Sequence, residues 1–182
     1  MGCALLIDRP NATKTRRMAN GQGKSARILD SFDRAILRIV QADNKLPQRQ
    51  IAEAVNLSAA AVQRRIAAME AAGVIARNVA IVDPDAVPLT ITSIVEVQLV
   101  DERMPTVERA RRLFLDTPEV QQCYYVTGGV SFTLVIVTSD MRAYSALTRR
   151  LFAENECIAS YRSLIALDRV KADTAIVIPP LP

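Results

Sequence analysis

The chain has no histidine in its 182 residues. That absence removes Ser-His-Asp and Cys-His nucleophilic catalysis, histidine-type zinc sites and the side chain that usually shuttles protons near neutral pH. Cysteine is scarce as well. Cys3, Cys123 and Cys157 are odd in number and far apart, which suits a reducing compartment and offers no metal-ligand spacing. No run approaches the roughly 20 apolar residues that a membrane-crossing helix needs. The opening Cys3-Ala4-Leu5-Leu6-Ile7 is too short for a signal-peptide core and is followed at once by Asp8 and Arg9. Leu6 stands where a myristoylation signal at Gly2 would need Ser or Thr. The expectation is a cytoplasmic protein that is not an enzyme and carries no metal or cofactor.

What is present is an ordinary globular balance, 50% hydrophobic and 23% charged residues, enough for one sizeable core or two small ones. The charge is unevenly spread. Residues 1–77 carry a net +7 and residues 78–182 a net −3, within a total of +4. A basic front half and a mildly acidic rear half suggest two modules, the first facing a polyanion, although basic helices can also be simply solvated.

The stretch that organises the front half runs from Asn56 to Gly73. Ser58 is a natural N-cap and Gly73 a natural stop. Between them Val62, Ile66 and Met69 recur at i, i+4 and i+7, one apolar stripe. Ala60, Gln63, Arg64 and Ala67 fall on or near the opposite face. Small residues there permit close approach, and Gln63 and Arg64 have the geometry to read adenine and guanine edges. Upstream, Asp30 can cap a helix with Asp33 in its first turn, where both acids suit the positive end of the dipole. Phe32, Ala35, Ile36, Ile39 and Val40 give that helix its apolar period. Pro47 opens a short helix with Ile51, Ala52 and Val55 inward, and Asn56-Leu57 turns into the Ser58 helix. Long helix, short helix, tight turn and basic third helix make a helix-turn-helix, a pattern that three-helix bundles without a ligand share.

The expected organisation is a disordered basic extension over 1–27, a helix-turn-helix domain over 28–76, a hinge over 77–90 and a second domain over 91–182. In the extension, Thr13-Lys14-Thr15-Arg16-Arg17 offers nonspecific phosphate contacts; alternatively the tail is inert, or Met18 is the true start. Val79 to Val82 reads as a short strand or hinge, and Pro84 and Pro88 mark the boundary. The rear half changes rhythm. Ile91 to Val100 alternates, with Ile91, Ser93, Val95, Val97 and Leu99 on one face. A helix with Val107, Ala110, Leu113 and Phe114 follows, then strands at Val120–Val126 and Phe132–Val137 around a Thr127-Gly128-Gly129 turn. Asp140 caps a helix carrying Tyr144, Leu147, Leu151 and Phe152, and Ile158–Leu167 is a final strand. The order β-α-β-β-α-β is the ferredoxin-like arrangement, an α+β fold whose open sheet face calls for a cover, most simply a second copy.

Together the pieces resemble the Lrp/AsnC, or feast/famine, family of transcription regulators. The residues that carry the resemblance are Leu29-Asp30-x-x-Asp33-Arg34-x-Ile36-Leu37, Leu57-Ser58, Val62-x-Arg64-Arg65-Ile66, Met69-Glu70-x-x-Gly73-Val74-Ile75 and Asp83-Pro84. Pro118-Glu119-Val120, Tyr124-x-Val126-Thr127-Gly128 and Val170-Lys171 continue it through the rear half. The resemblance implies a winged-helix-like DNA-binding domain, an effector-binding and oligomerisation domain, and dimers that assemble further, to tetramers or octamers, on double-stranded DNA. By position it implies Ser58, Ala60, Gln63, Arg64 and Arg65 at the DNA. Arg65 flanks the apolar stripe, so a phosphate or an acid of the same chain suits it better than a base. The resemblance also implies an amino-acid or related small-molecule site around Tyr124, Thr127, Gly128, Gly129 and Ser131.

Two departures from the family pattern stand out. Where the family usually continues its Thr-Gly with acidic residues, this chain reads Thr127-Gly128-Gly129-Val130-Ser131-Phe132, with no carboxylate to meet a ligand's ammonium. The Gly-Gly pair is then either a turn alone or a turn that also lines a cleft. Pro88 replaces a usual glycine and stiffens the hinge. Two other readings share the architecture. One is a nucleoid-type protein that binds DNA with little sequence preference. The other is an enzyme like the siroheme decarboxylases, which rely on the histidine this chain lacks.

Overall fold

The computed structural model describes residues 27–83, 86 and 91–179. The expected extension, Arg27 excepted, lies outside them, as do Pro84 and Pro88 of the expected hinge. The described residues form two compact units, one of residues 27–81 together with the tail from Lys171, the other within Val82–Val170. No described helix is long and apolar enough to cross a membrane.

The first unit is built from α1 (Ser31–Ala42), α2 (Gln48–Ala54) and α3 (Ala59–Ala71). Each helix boundary has a local cause. Asp30 caps α1 by accepting from the Asp33 amide at 2.8 Å. Pro47, which has no amide hydrogen to strand, precedes α2. Ser58 caps α3 by accepting from the Ala61 amide at 3.2 Å. Asn56 between α2 and α3 takes a φ of 55°, a conformation Asn tolerates better than most residues. Gly73, at φ 71°, ends α3 in a Schellman motif: its amide donates to the Glu70 carbonyl at 2.9 Å and the Val74 amide to that of Met69 at 2.8 Å.

Ile36, Leu37, Ile51, Ala52, Val55, Val62 and Met69 form the core of this unit. The apolar stripe of α1 is as expected at Ala35, Ile36, Ile39 and Val40, which form or pack against this core, but not at Phe32. Phe32 is exposed, and Asp33 takes the inward place beside Ile36 and Leu37. Residues 76–83 form no strand, so of the two readings of Val79–Val82, strand or hinge, the strand is absent. The tail returns to α1 instead. Arg34 Nη1 and Arg38 Nε donate to the carbonyls of Pro179 and Ile178 at 3.1 and 3.0 Å. Gln41 holds Ile176 from both sides of its peptide, at 3.2 and 3.0 Å. These three side chains, at i, i+4 and i+7 on one helical stripe, grip the tail by its backbone, while Ile178 packs on the core.

The second unit runs β1 (Ile91–Leu99), α4 (Met104–Leu115), β2 (Val120–Tyr125), β3 (Phe132–Thr138), α5 (Met141–Thr148) extended by a π-helical turn (Arg149–Ala153), and β4 (Ile158–Ile165). All pairings are antiparallel and the strand order is β2-β3-β1-β4. That is the ferredoxin-like split βαβ. Alternation along β1 buries Ser93, Val95, Val97 and Leu99, which meet Phe132, Leu134 and Ile136 of β3 under the helices. Val107, Ala110 and Phe114 of α4 and Tyr144, Leu147, Leu151 and Phe152 close this core. Phe114 stands edge-on to Phe132 with ring centroids 5.3 Å apart. The other sheet face carries Ile94, Tyr124, Val135 and Leu164 without a helix over it.

Candidate nucleic-acid interface and effector site

The outward face of α3 is what its sequence period dictates. Ala60, Gln63, Arg64 and Ala67 are exposed, while Val62 and Met69 are fully buried. Ser58 is exposed and engaged as the cap. Arg64, Ala61, Ala68 and Leu57 line a shallow groove together with Arg27 and Arg65. Arg64 forms no ion pair among the described residues. Its guanidinium is therefore available to a base edge or phosphate without first breaking an internal contact.

Arg65 is held differently. Its Nη1 donates to Asp30 Oδ2 at 2.7 Å and to Asp33 Oδ1 at 2.8 Å, and its guanidinium lies 5.5 Å from the Phe32 ring centroid. Arg27 Nη2 reaches the same Asp33 at 3.0 Å. Asp33 is only 2% exposed, and two guanidinium groups share its carboxylate. The Asp33 amide, and then Arg65, hold the Asp30 carboxyl below the usual carboxylate range, while Asp33 and Asp30 together push Arg65 up. Of the two roles open to Arg65, the structure shows the pair with acids, locking the start of α1 to the middle of α3. The first-turn acid Asp33 thus does more than complement a helix dipole. Its partners lie 6 and 32 residues away, and only the three-dimensional fold reveals the second.

In the second unit, Gly128 and Gly129 adopt φ of 112° and 98° with open space where a Cβ would sit. Glycine is required there by backbone conformation and not by a close neighbour. Thr127, Gly128 and Gly129 are exposed and Ser131 is buried. Alternation separates the two tyrosines. Tyr124 lies on the open sheet face, its hydroxyl donating to Gln122 Oε1 at 2.8 Å, whereas Tyr125 lies on the helix side beside Phe132.

The carboxylate missing from the Gly-Gly stretch arrives from the β1–α4 connection. Glu102 accepts hydrogen bonds from the Tyr125 hydroxyl at 2.7 Å and from the Ser131 hydroxyl. Ser131 is fixed in turn by the Leu99 amide, which donates to its Oγ at 3.0 Å, and by its own amide, which donates to the Val97 carbonyl at 2.9 Å. Glu102 pushes the Tyr125 hydroxyl pKa up by accepting its proton in a hydrogen bond. Glu102 and Tyr125 were missed at the level of sequence. The alternation of the strand could have found Tyr125, but Glu102 lies 29 residues from Ser131. Cys123 beside them is half-buried, and burial pushes its thiol up to about 11, so it is a poor nucleophile at neutral pH. Among the described residues no group of three or more Cys, Asp or Glu side chains is gathered as a metal site.

Comparison with known proteins agrees with both halves. Residues 29–76 match the winged helix-turn-helix DNA-binding family and residues 92–176 match the Lrp/AsnC ligand binding domain. An uncharacterised HTH-type transcriptional regulator of Sinorhizobium fredii is 41% identical over 150 residues, which is 82% of this chain and 89% of that one. The crystal structure of an AsnC family transcriptional regulator from Agrobacterium tumefaciens superposes with a TM-score of 0.75 at 34% identity, covering 81% of this chain and 96% of that one. A transcriptional regulator of Neisseria meningitidis, solved as an L-Met complex, gives a TM-score of 0.73 at 26% identity over 82% of this chain and 97% of that one.

Proposed function

The chain belongs to the Lrp/AsnC family of DNA-binding transcription regulators, and from that premise we propose that it recognises particular DNA sequences through α3 and adjusts that binding to a small molecule held by its second unit. The observation that carries the first half is the division of labour between neighbouring arginines. Arg65 is tied to Asp30 and Asp33, and Arg64 stands free on an outward face of Ala60, Gln63 and Ala67. Such a face enters the major groove with its small residues close to the base edges and one guanidinium to read them. The open sheet face, with Ile94, Val135, Tyr124 and Leu164, is the surface on which two copies pair. A two-fold dimer then presents two α3 helices to a pseudo-palindromic site.

Arg64→Ala is expected to weaken binding to the preferred site by about 1–3 kcal/mol, with binding to scrambled DNA falling much less. Titration of both duplexes by fluorescence anisotropy measures this. Equal losses on the two DNAs would make Arg64 a phosphate contact and remove it from base reading.

For the second half, Glu102 supplies the carboxylate that an ammonium group needs, and the hydroxyls of Tyr125 and Ser131 hold it in place beside the Thr127–Gly129 turn. The L-Met complex of the Neisseria relative supports an amino acid as the ligand class. Glu102→Gln keeps the shape and removes the charge. The variant is expected to bind DNA as the parent does while losing any shift in that binding produced by a mixture of the standard amino acids. A parent-like shift in the variant would place ammonium recognition elsewhere.

A further inference from the structure

The second unit carries a basic face that the helix-turn-helix does not use. Phe114 of α4 and Phe152 of the π-helical turn share one core, their ring centroids 6.2 Å apart. Both helices therefore cover the same side of the sheet, and their outward faces look the same way. These segments hold Arg109, Arg111, Arg112, Arg142, Arg149 and Arg150 against the single acid Glu108, within a rear half of net negative charge. Arg111 is paired with that acid at 2.6 Å. The other five are exposed and form no ion pair among the described residues.

Along α5 and its π turn the exposed positions are Met141, Arg142, Ser145, Ala146, Arg149, Arg150 and Ala153. Beyond Met141 at the helix start they alternate guanidinium groups with side chains too small to hold a partner away. A helix face that is merely solvated commonly interleaves both signs. Here the acids other than Glu108 lie at the helix ends, with Asp116 after α4 and Glu154 after the π turn, or on other parts of the unit. Glu96 is on β1, Glu102 in the β1–α4 connection, and Asp140 caps the start of α5 by accepting from the Ala143 amide at 2.8 Å. A concentrated field of one sign, on arginines with no internal partner, is the footprint of a polyanion contact.

We propose that the α4–α5 face of the second unit holds the phosphate backbone of duplex DNA beyond the stretch gripped by α3, without reading its sequence. The proposal rests on DNA binding by the first unit, which supplies the duplex. Each phosphate neutralised should contribute about 0.9 to the slope of log affinity against log salt.

The test uses the full chain and two duplexes. One is roughly 20 bp, spanning the preferred site, and the other roughly 150 bp, about one persistence length, with that site at its centre. The triple variant Arg142→Gln, Arg149→Gln, Arg150→Gln is expected to bind the long duplex about tenfold more weakly than the parent near 0.1 M salt. Its salt slope should be flatter by up to about 3, with affinity for the short duplex within about twofold. Lysine at the same three positions should restore the slope. Should the glutamine variant fail to fold, Arg109→Gln with Arg112→Gln asks the same question of α4. An unchanged affinity and slope on the long duplex would overturn the proposal and leave the face to an acidic protein partner. If the parent bound neither duplex, the DNA-binding premise would fall and this proposal with it.

Discussion

Asp33→Ala should unfold the first unit selectively, lowering its stability by about 2–4 kcal/mol. The side chain is nearly fully buried and accepts from both Arg27 and Arg65. Removing it leaves one guanidinium without a carboxylate and the other with the half-exposed Asp30 alone. The two arginines keep 27–28% of their exposure, so water recovers part of the loss, and the lower end of the range for a broken buried pair applies. Hydrogen exchange reads the outcome. Protection should fall across α1 and α3 while β1 and β3 of the second unit keep theirs. Retained protection in α1 would mean that the ion cluster is dispensable. The cluster also has an acid limit. Because the folded-state pKa of Asp30 is lowered, its contribution is complete above the unfolded value near about 4 and is lost as pH falls through the lowered one.

Phe114→Ala should cost the second unit about 3–5 kcal/mol. Its ring is fully buried between Phe132 of the sheet and Phe152 of the π-helical turn, 5.3 and 6.2 Å away. Removing it opens a cavity where α4, the sheet and the π-helical turn meet. Urea unfolding followed by intrinsic tyrosine fluorescence should show an earlier transition for the sheet unit, with protection of α1–α3 unchanged. A loss under about 1 kcal/mol would mean that this core collapses to fill the space.

These two sites also show where the sequence stops being informative. Features written within a few residues of each other could be read directly. The Asp30, Ser58 and Asp140 caps, the Gly73 stop and the alternation of β1 all follow from local chemistry, and the structure has each of them. Their succession, with the apolar periods between, was enough for the α+β architecture and its order of elements. Contacts closed by tertiary folding could not be read in this way. Arg65 with Asp33, Glu102 with Ser131, and the tail with α1 join residues 32, 29 and 135–145 positions apart. Nothing in a local pattern distinguishes the right partner for an acid at such distances. Phe32 was misplaced for a related reason. Its apolar character suited the inward stripe, but the carboxylate buried at the next position takes that place and the Arg65 guanidinium lies over the Phe32 ring.

The central claim is that α3 selects particular DNA and that the second unit tunes the selection. It is tested most directly by binding of the full chain to its own upstream region, beside a scrambled duplex of equal length. The titration is run at two salt concentrations, with and without a mixture of the standard amino acids. The account predicts a preference for the upstream region that survives the higher salt and is shifted by the mixture. Equal binding to both duplexes, steeply lost with salt and indifferent to the mixture, would contradict it and leave an architectural DNA-binding protein.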